Sequence, residues 1–194
     1  MPSHRPILRP ALLGLMLGAG ATLLLGGPEE PRLRRSQETC QVPDVVLLNQ
    51  EGEKVKLRGL LNAEQPIVLN FFYTDCTTIC PVLCSGFATL QARLGDQTQR
   101  VRLVSITIDP EKDTPPVLKA YARRFRGRPG WDLLTGTRED IRKALVGFNT
   151  YLEGPSSMVP ITMIRTRKGD RWTRVFGLMS STEFIAECRR SGIL

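Results

Sequence analysis

Histidine is almost missing from this chain: 194 residues contain one, His4, ahead of everything that looks foldable. An imidazole base, a His-rich zinc site or a His-driven pH switch therefore has no material in the body of the protein. Aromatic residues are also sparse, at 6%, so the formal charge of +8 comes without the aromatic-interleaved basic element that nucleic-acid readers carry. Nucleic acid is not expected as a partner. Part of the charge, Arg5, Arg9, Arg32, Arg34 and Arg35, flanks an apolar segment and reads as a topology determinant; the rest reads as a solvated basic face. Five cysteines at irregular spacing are too few for a disulfide scaffold, and the odd number leaves at least one unpaired in a monomer. There is no internal repeat and no low-complexity tract.

What is present suffices for one domain with an appendage, at an ordinary 41% hydrophobic content. Residues 11–27 carry no charge, are rich in Leu, Gly and Ala, and follow a short basic stretch. This targeting element lies in length between a signal-peptide core of about 7–15 residues and a spanning helix of about 20. We expect residues 1–27 to be an uncleaved membrane anchor helix, with a cleaved signal peptide as the alternative. Residues 28–39, Pro- and Arg-rich, read as a linker, and residues 40–194 as the domain. Arginines on both flanks leave the orientation open by charge, and the cysteine chemistry below argues for a domain outside the cytoplasm.

Within the domain, residues 44–48 and 54–57 flank a turn-like Asn49-Gln50-Glu51-Gly52 and predict a hairpin. Residues 66–73 form a near-continuous apolar run of the kind found in the middle of a covered sheet. Val82, Phe87, Leu90 and Leu94 recur at helical intervals before Gly95. A second buried strand is expected over 101–108, then a helix capped by Thr114 with Pro115 at its first position, running to about 125. A short strand at 131–134, a helix from the Thr137/Asp140 capping pattern to about 148, a hairpin of 160–166 with 172–175, and a helix over 182–190 complete the order. Alternating βα units followed by a late hairpin predict an α/β, thioredoxin-like three-layer fold with a mixed central sheet.

The chemistry gathers between the strongest strand and the helix after it, where Cys76, Cys80 and Cys84 fall within nine residues. Cys76 lies just past the strand and Cys80 in the first helical turn, where free backbone N–H groups and the helix dipole favour thiolates. Both sulfurs are expected to be unusually ionised. Pro81 fits there because a first-turn N–H has no helical partner. Residues four apart at a helix start share one side, so Cys76 and Cys80 can close a disulfide or share one metal ion. Copper(I) is the expected metal, since soft thiolates select it and two sulfurs meet its low coordination demand. Zinc would want four ligands, for which only Cys84 and distant Cys40 remain. Cys84 reads as buried helix packing rather than a third ligand or resolving thiol. Cys188 also reads as buried; Cys40 is solvent-prone by context, and a Cys40–Cys188 bridge stays open.

Three blocks, Tyr73-Thr74-Asp75-Cys76-Thr77-Thr78-Ile79-Cys80-Pro81, Val104-Ser105-Ile106-Thr107-Ile108-Asp109-Pro110-Glu111-Lys112-Asp113-Thr114-Pro115 and Leu118-Lys119-Ala120-Tyr121, resemble the signature of the Sco/SenC family from Val42 onward. The resemblance implies a thioredoxin-fold, usually membrane-anchored protein that carries copper to the dinuclear copper centre of cytochrome c oxidase or reduces its thiols. The implied partner is that copper-containing subunit or another copper or thiol carrier. The family's copper site normally adds a histidine, and aligning the loop at Pro160-Ile161-Thr162 puts Met158 in its place. A thioether suits Cu(I) and serves Cu(II) poorly. Met158 is therefore expected either as a weak third ligand beside Cys76 and Cys80 or as ordinary loop packing in a chain that has lost its metal.

Val159-Pro160-Ile161-Thr162 is also similar to the thioredoxin loop whose cis proline faces the active cysteines. That keeps a second reading: a thiol–disulfide oxidoreductase in which Cys76 attacks and Cys80 resolves. Peroxide reduction is disfavoured, because Tyr73 stands where the peroxiredoxin pattern needs a threonine. Asp109 and Asp113 read as turn and cap residues, with Asp109 the candidate for tuning the cysteines.

Overall fold

The computed structural model describes residues 33–150 and 157–194. The expected anchor, residues 1–27, lies outside them, and no helix among the described residues is long and apolar enough to cross a membrane.

The fold is organised by β4 (Ile67–Phe72), whose six residues are all buried. Alternate side chains of a strand face opposite ways. Ile67, Leu69 and Phe71 accordingly join one apolar cluster, and Val68 and Phe72 the other. A strand with no polar face needs a layer on each side. β5 (Arg102–Thr107) pairs with it in parallel and β7 (Ile161–Arg165) antiparallel. β6 (Trp131–Leu134) extends the sheet beyond β5, and β8 (Arg171–Phe176) beyond β7. Helices α2 (Ile79–Leu94), α3 (Pro115–Arg124) and α5 (Ser181–Arg190) supply one covering cluster, and α1 (Leu57–Leu61) and α4 (Arg138–Gly147) the other. This is the mixed-sheet, thioredoxin-like three-layer arrangement that the element order predicts.

The expected hairpin forms as β2 (Val46–Leu48) and β3 (Lys54–Lys56), with Gly52 in the left-handed region at φ 80°. α2 stops at Gly95, φ 57°. Ser180 and Glu183 close a capping box on α5. Thr114 occupies the capping position of α3, but its hydroxyl makes no capping bond.

The linker expectation needs correction. Residues Arg34–Thr39 are β1, antiparallel to β8 at the sheet edge, in the order β1-β8-β7-β4-β5-β6. Its sequence, RRSQET, has no apolar alternation because neither face of the strand is buried in the core. What holds it is pairing plus a polar clamp: the Arg35 guanidinium donates three times, at 2.7–3.1 Å, to the buried carboxylate of Glu187 on α5. Arg34 stands opposite Phe176, so the chain enters the sheet at the end where β4 and β5 release their loops.

Candidate functional site

Beyond Phe72 the backbone leaves β4 through a tight turn, closed by the Cys76 N–H on the Tyr73 carbonyl at 3.3 Å. α2 begins three residues later. Thr78 holds its N-cap position without a side-chain capping bond, so the first helical N–H groups need another acceptor. The Cys76 sulfur takes that role: the Cys80 N–H points at its Sγ from 3.3 Å. The two cysteines are thus brought together by a turn, a helix start and a sulfur acting as the cap.

The same geometry makes the pair unequal. Burial works against ionising Cys76, but the Cys80 N–H, the Cys80 thiol, and the N–H groups of Thr78 and Ile79 outweigh it and bring the group from 9.0 down to about 7. Cys80 goes the other way: burial first, then its donation to Cys76, push its thiol far up. The expectation that both sulfurs are unusually ionised is therefore half wrong. The free N–H groups at the helix start converge on one point, which the sulfur of Cys76 fills, while Cys80 itself is fully buried. Cys76 is 6% exposed, the most accessible of the five cysteines.

All five are free thiols. Cys84 and Cys188 are fully buried, as expected, and burial pushes each up to about 12. Cys40 is not solvent-prone: it is 2% exposed, with its thiol pushed up to about 11 by burial. It packs in the cluster under α1 and α4, whereas Cys188 packs in the cluster under α2 and α5, so the sheet separates them and no bridge joins them. Among the described residues no three His, Cys, Asp or Glu side chains gather as a metal site.

Met158 is half-buried and packs against both apolar clusters, including the one that holds Cys76 and Cys80. Tyr73 does the same, and its phenol is held up by burial and by the neighbouring Cys76. No cis peptide bond occurs among the described residues, so the bond before Pro160 is trans, unlike the thioredoxin loop.

Asp109 is the turn residue expected, its carbonyl accepting from the N–H groups of Lys112 and Asp113. Asp113 is not a cap. Its carboxylate is 1% exposed and turned inward, accepting from the Thr107 hydroxyl at 2.5 Å, the Thr74 hydroxyl at 2.5 Å and the Thr74 N–H at 3.2 Å. At the surface Lys112 reaches Asp75, the neighbour of Cys76, at 3.2 Å. Only the Asp-rich spacing of the second signature block hinted at these contacts, because Thr74 and Asp113 are 39 residues apart.

A family model described as SCO1/SenC matches residues 35–167. Among curated relatives, the SCO1 protein homolog of Bacillus subtilis is 32% identical over 118 residues, 59% of this chain and 60% of the relative. The chain thus spans about three fifths of that protein's length. Among solved structures, BsSco, described as a member of the Sco family of cytochrome c oxidase assembly proteins with a disulfide switch, superposes with a TM-score of 0.65 at 25% identity, over 82% of this chain and 97% of that one. Arabidopsis thaliana ScoI with copper bound gives a TM-score of 0.63 at 19% identity, over 79% and 98%.

Proposed function

The chain belongs to the SCO1/SenC family, and from that premise we propose that it carries copper(I) for the assembly of cytochrome c oxidase through Cys76 and Cys80. The observation behind the reading is the unequal pair: Cys76, 6% exposed and brought down to about 7, beside a fully buried Cys80 whose thiol hydrogen-bonds to it and is pushed far up. Copper(I), as cargo, would take the Cys76 thiolate directly and displace one proton from Cys80, giving two soft sulfurs and a net charge of minus one at the ion. Met158 would offer a third, weaker sulfur; its place at the cluster holding both cysteines supports this. We further propose that residues 1–27 tether the domain outside the cytoplasm, and that the receiver is the oxidase's copper-containing subunit or another copper or thiol carrier.

Reduced full-length protein titrated with Cu(I) against a competing chelator is expected to bind one equivalent tightly, less tightly as Met158→Ala and not at all as Cys76→Ser. Unchanged binding by Cys76→Ser would end the copper reading; indifference to Met158→Ala would remove the third ligand alone.

The lowered thiol of Cys76 also favours a second activity at the same pair, reduction of a partner's disulfide. The Cys76 thiolate attacks one partner sulfur and releases the other as a thiolate. Cys80 then passes its proton to the released partner thiolate or to water, its thiolate attacks the Cys76 sulfur, and the second partner thiolate leaves. Two electrons pass to the partner and a Cys76–Cys80 disulfide remains. Incubated with an oxidised dithiol peptide, Cys80→Ser should accumulate a mixed disulfide at Cys76 that the wild type resolves. Equal accumulation by both proteins rules this activity out.

A further inference from the structure

We propose that Asp113 positions Cys76: through Thr74 it clamps the turn that aims the Cys76 sulfur at the start of α2. The inference deepens the reading of Cys76 and Cys80 as a working pair and rests on it.

The path is continuous. Thr107 is the last residue of β5, which pairs with β4 in register at Phe72. Its hydroxyl donates to the Asp113 carboxylate, and the Asp113 N–H is held on the Asp109 carbonyl at 2.9 Å. The carboxylate is therefore fixed by the strand end and by its own turn before it touches the cysteine loop. It then accepts both the hydroxyl and the N–H of Thr74. Thr74 is the first corner of the turn closed by Cys76 N–H on Tyr73 carbonyl, and its own N–H has no place inside that turn. With this corner pinned, Cys76 follows two residues on, its sulfur set at 3.3 Å from the Cys80 N–H.

Burying a carboxylate is costly unless its lone pairs are met, and a residue needed only to start α3 would have stayed at the surface. The outer tie, Lys112 to Asp75, joins side chains that are 66% and 65% exposed, and such pairs contribute little. The buried arm is the one that holds the turn.

Two accounts of Asp113 predict opposite signs. A carboxylate acting only through its charge would disfavour a nearby thiolate, so neutralising it would stabilise the reduced pair. A clamp does the reverse: without it the N–H groups lose their aim on Cys76 and the reduced pair is stabilised less.

The test is the equilibrium of the full-length protein with glutathione redox buffers, read as the fraction of Cys76–Cys80 disulfide. Asp113→Asn and Thr74→Val are expected to shift this equilibrium about tenfold toward the disulfide, roughly 30 mV for a two-electron couple. Thr74→Ser, which keeps the hydroxyl, is expected to match the wild type. A loss of stability shared by both redox states would not move this constant. Should Asp113→Asn fail to fold, the Thr74→Val and Thr74→Ser pair decides. No shift in Thr74→Val, or a shift toward the dithiol in Asp113→Asn, overturns the clamp. Copper is absent from the assay, so failure of the wild type to bind Cu(I) would remove the copper reading and leave the clamp judged on its own result.

Discussion

Cys76 and Cys80 carry the same side chain four residues apart, yet one is an acid near neutrality and the other is not. The difference has a consequence for stability. Cys76 falls from 9.0 to about 7 on folding. A group with a depressed folded value contributes stability that is complete above the unfolded value and lost as pH falls through the folded one. The advantage of the reduced wild type over Cys76→Ser should therefore grow from pH 7 to pH 9 and fade below 7. Cys40 and Cys188, with raised values, lose stability only above about pH 9 and equally in both proteins, while Cys80 and Cys84, raised in part by Cys76, also act only above that pH, so the comparison is read up to pH 9. Urea unfolding under reducing conditions at several pH values measures this; a difference constant across the range would mean that Cys76 is not ionised by the fold. At this scale the meeting of Cys76 and Cys80 was readable from the motif alone. Asp113 reads as a cap along the chain because the donors to its carboxylate sit on Thr74, in another loop, and on Thr107 at the end of β5, and Cys40 reads as exposed because its neighbours in sequence are polar, whereas the fold packs it into the apolar cluster under α1 and α4.

Elements whose residues repeat a pattern were found where the pattern predicts them: β4 by its apolar run, α2 by its helical spacing, β6 and α4 to the residue or nearly so. β1 has no such pattern. It owes its place to β8 and to the pairing of Arg35 with Glu187, whose side chains are 33% and 3% exposed. Arg35→Ala leaves Glu187 buried with Arg190, 59% exposed and at 3.4 Å, as its remaining ion pair among the described residues. That should cost about 1–3 kcal/mol, the usual penalty for stranding a buried polar group. Replacing both residues, as Arg35→Ala with Glu187→Leu, should recover part of the loss, because no charge is then left buried. If the two substitutions simply add in chemical denaturation, the edge strand is not held by this pair. α1 was missed for a related reason: five residues are too few to display a helical period.

Over the whole molecule the sheet works as a partition. One side holds the three cysteines of the site's cluster together with Cys188, Tyr121 and the helices α2, α3 and α5; the other holds Cys40 beneath α1 and α4. The fold class, the strand-to-helix junction and the dithiol at it could all be inferred along the chain, since hydrophobic period, turn residues and motif spacing are properties of neighbours in sequence. Which thiol ionises, which aspartate holds the turn, which cysteines can never meet and where the domain begins depended on groups brought together across dozens of residues. Acid strength follows local burial and hydrogen bonding, and those exist only once the layers have closed.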